Sequence, residues 1–117
     1  EAALLSMRDE VAAKGARFFV VVLSTGMQVH PDPAARQKYA DWIGSQDLLY
    51  PDRRLADFCR REGIPILLLA PAFQKYASEH RVFLHGFGDT QGGGHWNETG
   101  HRLAGKMMAE WLCGQLN

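Results

Sequence analysis

The sequence predicts an α/β domain organised around a parallel sheet. Two apolar runs, Arg17-Phe-Phe-Val-Val-Val-Leu23 and Pro65-Ile-Leu-Leu-Leu-Ala70, show no polar alternation, which is the pattern of strands covered on both faces. Each run follows a segment of helical spacing that stops at a glycine, Gly15 in the first case and Gly63 in the second. The repeated order helix, glycine, strand is β/α alternation, and the crossover rule makes the two strands parallel.

The elements follow in order. Residues 3 to 14 place Leu4, Met7 and Val11 on one helical stripe, with Gly15 where a left-handed residue ends a helix. The run that follows reads as a central strand rather than an edge. Ser24 to Pro33 mixes Ser, Thr, Gly, His and Asp with two prolines, a polar loop at the strand's C-terminal end. Open α/β sheets bind ligands at that end. Residues 34 to 43 carry helical spacing, with Tyr39 and Ile43 on one stripe, Trp42 beside it and Gly44 as the stop. Pro51 and Asp52 open another helix, in which Leu55, Phe58, Cys59 and Glu62 share a side. After the second strand, Pro71 begins a loop or short helix holding Phe73 and Tyr76, and Arg81 to Leu84 is a weak third strand. Gly86, Gly88, Gly92, Gly93 and Gly94 then mark a loop that is either mobile or closely approached by other backbone. A last helix runs from Glu98 to Cys113, capped by Asn97. Its rows Leu103, Met107, Trp111 and Ala104, Met108, Leu112 form a wide apolar stripe that must lie against a sheet.

At 117 residues the chain is one domain, spanning 1–117. Hydrophobic residues make up 46% and charged residues 22%, ordinary for a folded protein and unlike a disordered one. The 13 basic and 13 acidic residues are interspersed, so no electrostatic footprint for nucleic acid is present. The longest apolar runs, Phe18 to Leu23 and Ile64 to Ala72, are too short to span a membrane. Cys59 and Cys113 lack metal-ligand spacing and read as small buried hydrophobes.

Two strands buried on both faces cannot complete a sheet, since sheets typically have about 4–6 strands. The chain opens on Glu1 rather than Met. The expectation is a C-terminal portion of a larger α/β domain. Its missing strands would come from an N-terminal part of the same protein or from a second copy.

The residues that carry chemistry are Gly93-Gly94-His95-Trp96-Asn97-Glu98-Thr99-Gly100-His101. A histidine just before a helix cap, at the ligand-binding rim of the sheet, suits a general base, because its ordinary pKa of ~6.5 lets it take and return a proton near neutrality. The motif His-Trp-Asn-x-x-Gly-His before an amphipathic terminal helix resembles the last block of the SGNH/GDSL hydrolases and of the related alginate-type O-acetyltransferases. The resemblance implies a three-layer, flavodoxin-like parallel sheet with His95 as catalytic base, Asn97 as cap and Gly100 as the residue that permits close packing. It also implies a serine ester hydrolase that needs no cofactor or metal and acts on a small ester or an acylated carbohydrate. Polysaccharide O-acetyl transfer or deacetylation is the alternative in the same superfamily, and a non-catalytic α/β binding module is the alternative outside it.

Two departures from the family pattern matter. The family's aspartate lies two or three residues before the histidine, where this chain has Gly92 and Gly93; the nearest acid upstream is Asp89. Either Asp89 or a backbone carbonyl then orients the ring, or the site is impaired. No segment matches the family's Gly-Asp-Ser turn, so the nucleophilic serine is expected outside this chain, and Ser24 reads as a loop residue. His30, with Asp32 in the same loop, and Trp96 are candidate substrate contacts; turn chemistry around Pro31 and Pro33 is the plainer role of the first two, and a plug beneath the loop that of Trp96. His80 and His85 flank the glycine loop without ligand spacing to His95.

Overall fold

The computed structural model describes all residues, 1–117. Its elements are α1 (Ala2–Ala13), β1 (Val20–Val22), α2 (Pro33–Trp42), α3 (Tyr50–Arg61), β2 (Ile66–Leu68), α4 (Ala70–His80) and α5 (Glu98–Leu116), with a short 3-10 turn at Gly88–Thr90. β1 and β2 pair in parallel, Val20 opposite Ile66, Val21 opposite Leu67 and Val22 opposite Leu68, as the β/α alternation requires. The class is α/β.

Strand alternation sorts the packing. Val20 and Ile66, paired across the sheet, pack with Leu4, Leu5, Leu55, Phe58, Cys59 and Ile64, against α1 and α3. Val21 and Leu67, the next pair, turn to the opposite face and meet Phe73 and Ala77 of α4 and Leu103, Ala104, Met107 and Met108 of α5. Helices therefore cover both faces. Phe73, Leu69, Leu84, Val29 and Cys59 are the largest fully buried side chains, and burying one such aliphatic or aromatic group is worth about 1.5–3 kcal/mol.

Helix ends follow local chemistry. Asp32 caps α2, its carboxylate accepting from the Ala34 amide at 2.9 Å, with Pro33 in the first turn, where a missing N–H costs nothing. Asn97 caps α5, its side-chain oxygen accepting from the Gly100 amide at 3.0 Å. Gly15 and Gly63 take left-handed φ of 72° and 65° after α1 and α3.

Several expectations are corrected. β1 spans three residues rather than the whole run from Arg17, and within this chain it pairs on one side only. The sheet contains only β1 and β2, so each has a free outer edge and all six strand residues are half-buried. Arg81 to Leu84 forms no strand; Arg81 ends α4 in the left-handed region at φ 54°, and only an isolated antiparallel bridge joins His85 to Trp96. The segment after Pro71 is an eleven-residue helix rather than a short one. Cys59 is buried, but Cys113 is exposed. Trp42 and Ile43 of the α2 stripe also face solvent.

The molecule is a slab of 46 × 31 × 21 Å with a radius of gyration of 15.8 Å, against roughly 13 Å for a compact domain of this length. No helix is long and apolar enough to cross a membrane.

Candidate active site

The C-terminal end of β1 and the N-terminal end of α5 meet at one place. Leaving β1, the chain passes through Leu23 to Ser24, which is buried. Coming from α4, it passes Val82, Phe83 and Leu84, and reaches a neck where residues 84–86 run antiparallel to 95–97. Gly86 N–H donates to the His95 carbonyl at 2.9 Å, and Asn97 N–H donates to the Leu84 carbonyl at 3.0 Å. Between these strands of the neck lies the glycine loop. Gly92 N–H returns to the His85 carbonyl at 2.9 Å.

This loop is closely approached. A Cβ on Gly26, in the loop after β1, would sit 2.0 Å from the Gly92 carbonyl oxygen, and one on Gly86 would sit 1.9 Å from that of Thr90. Only glycine permits such contact between main chains. Gly100 plays the same part on α5, where a Cβ would come 2.3 Å from the Leu84 carbonyl oxygen; the helix thus packs closely onto the neck.

A polar chain fills the neck. The His85 Nδ1 lies 2.9 Å from the Gly94 carbonyl oxygen, which can only accept, so Nδ1 carries the proton. Nε2 is then the acceptor and takes the Ser24 hydroxyl at 3.0 Å. The Ser24 oxygen in turn accepts from Trp96 Nε1–H at 3.1 Å. Donor and acceptor capacity is used from end to end. Trp96 packs on Phe73, ring centroids 5.6 Å apart, and His101 stands edge-on to it at 5.5 Å.

His95 differs in every respect. It is exposed, it borders an open depression with Gly86, Phe87, Thr90 and Gly92 to Gly94, and neither ring nitrogen has a hydrogen-bond partner within the chain. Asp89 sits exposed in the 3-10 turn and makes no hydrogen bond to His95. A carbonyl-oriented imidazole does exist here, but it is His85.

A comparison with family models, curated proteins and solved structures finds no match. The site's meaning rests on its own geometry.

His30 lies on the other side of Phe83, rings edge-to-face at 5.1 Å, with its Nδ1 accepting the Asp32 amide at 3.0 Å. It lines a second depression with Asp32, Ser78 and Arg81. Near the same loop, Asp52 is buried in the first turn of α3. Its Oδ2 accepts from Gln28 Nε2 at 2.7 Å, while its Oδ1 has no partner. Burial pushes this carboxyl above the usual range, partly offset by the Gln28 bond. No cluster of three or more His, Cys, Asp or Glu residues could hold a metal ion.

Ser24 and His85 are 61 residues apart and no motif in the sequence joins them. One signal was present: His85 follows Val82-Phe83-Leu84, and a histidine directly after an apolar run is placed to be buried. Asp52 offered none, because an acidic residue in a helix's first turn is ordinary.

Proposed function

We propose that the chain is the C-terminal part of an SGNH/GDSL-type serine ester hydrolase with a flavodoxin-like sheet, in which His95 is the general base. The observation that carries the reading is the state of His95. It is an exposed imidazole with both nitrogens unengaged, beside an open depression lined by the glycine loop, on backbone pinned at the neck. A base must reach a substrate-side hydroxyl, and of the two neck histidines only this one can.

The chemistry follows from that placement. A serine supplied from outside this chain attacks the ester carbonyl. His95 takes the hydroxyl proton and returns it to the departing alcohol, leaving an acyl-enzyme. His95 then removes a proton from water, the hydroxide attacks the acyl carbon, and the acid departs as the proton returns to the serine. Backbone amides near the serine hold the negative oxygen in both halves. With a sugar hydroxyl in place of water the same steps give O-acetyl transfer to polysaccharide. The free edges and half-buried residues of β1 and β2 support completion of the sheet by a preceding segment of the protein or by a second copy.

The reading of a non-catalytic α/β binding module has one observation in its favour: His95 has no acidic partner, Asp89 included. Hydrolysis of p-nitrophenyl acetate by the full-length protein separates the two. His95→Ala lowers kcat/KM by about 10³-fold or more if His95 is the base; equal rates for variant and wild type support the binding module.

A further inference from the structure

We propose that Ser24 and His85 are positioning residues, a buried relay that holds the backbone carrying His95. The catalytic consequence rests on the hydrolase reading above; the holding itself does not.

His85 engages the glycine loop twice within the neck, and Gly86 beside it once. The His85 carbonyl accepts the Gly92 amide and its ring N–H donates to the Gly94 carbonyl, while the Gly86 amide donates to the His95 carbonyl. The residue before His95 and the residue after it are both tied to this network, Gly94 through the His85 ring and Trp96 through the Ser24 hydroxyl. Ser24 anchors the assembly to the end of β1. Both residues are closed to substrate, Ser24 being 8% exposed and His85 3%, so they act through His95 and not on the ester.

The loop needs such an anchor. Gly92, Gly93 and Gly94 run consecutively, Gly92 and Gly94 at φ 87° and 69°, and glycine surrenders more backbone freedom on ordering than any other residue. Apolar burial does not supply the order, since Gly93, Gly94 and His95 are all exposed. What fixes them is main-chain bonding, Gly92 N–H to the His85 carbonyl, Gly93 N–H to the Thr90 carbonyl and Gly86 N–H to the His95 carbonyl, together with the polar relay on Gly94 and Trp96 and the contact of Gly26 with Gly92. Misplacing a reacting group by about 1 Å costs on the order of 10²-fold in rate.

The test pairs hydrogen exchange with kinetics on the full-length protein, using His85→Leu, which deletes both ring bonds, and His85→Asn, whose side-chain N–H can replace Nδ1–H against Gly94. The relay predicts that His85→Leu speeds exchange at the Gly86, Gly92 and Gly93 amides by about tenfold or more, while the sheet amides of Val20 and Leu69 keep their protection. It predicts a kcat for p-nitrophenyl acetate down by roughly 10–100-fold with KM little changed, and recovery of most of both effects in His85→Asn. Unchanged loop exchange in His85→Leu overturns the relay, as does an equal loss of protection at Val20 and Leu69, which marks a general structural role. A failure of His85→Asn to restore the loop also overturns it. An unchanged rate in His95→Ala overturns the hydrolase reading instead, and the exchange result then stands by itself.

Discussion

The sheet and the glycine loop are ordered by different means. β1 and β2 are the most apolar parts of the chain, yet all their residues are half-buried and each strand has an open edge. The glycine loop buries little apolar surface, Phe87 facing solvent, yet its neck closes with main-chain bonds of 2.9–3.0 Å and a buried Ser–His–carbonyl chain. The strands are held by area removed from water, which is non-directional and forgiving of small shifts. The neck is held by groups whose partners are each specified, so losing one strands the next. A site that must place one imidazole gains more from the second kind of order.

Substitutions can break that contrast from either side. The largest effect belongs to the apolar layer under β1: Phe73→Ala, at a fully buried ring, is expected to cost about 3–5 kcal/mol, read as a fall in the denaturation midpoint. Next is Gly26→Ala, which drives a methyl against the Gly92 carbonyl and should cost about 1–3 kcal/mol while loosening the loop before the sheet in hydrogen exchange. Ser24→Ala is expected to cost a similar or smaller amount, about 1–3 kcal/mol, because it leaves His85 Nε2 and Trp96 Nε1–H without partners; chemical denaturation reads it.

Asp52 sharpens the comparison through pH. Burial raises its folded pKa above the unfolded value, so the unfolded chain releases this proton first as pH rises. Its contribution is therefore full below the ordinary Asp value of ~3.9 and is lost progressively as pH climbs from there through the raised folded value. Denaturation midpoints measured across that window should fall more steeply with pH in wild type than in Asp52→Asn. Parallel slopes would show that the buried carboxyl is not linked to folding.

Helices and strand direction were legible in the sequence because their signals are local. Gly15, Gly44 and Gly63 stop helices at left-handed φ, Asp32 and Asn97 cap them, and two unalternating runs give parallel pairing. The end of α4 was not legible, since Arg81 occupies a left-handed position that usually takes glycine. Strand length was overestimated for a related reason. Apolar composition states what a segment would bury, whereas the paired length depends on neighbours, and each strand here has one. At the site, the block from His95 to Gly100 was readable as a motif. The Ser24–His85 bond was not, because nothing near either residue records a partner 61 positions away.

Chemical rescue asks directly whether the His95 imidazole is the working one. In the full-length protein, free imidazole should enter the open depression beside residue 95 and restore a measurable part of the p-nitrophenyl acetate rate lost in His95→Ala, saturating with concentration. A His95→Ala rate equal to wild type, or a loss that added imidazole leaves untouched, would contradict the assignment of His95 as the base.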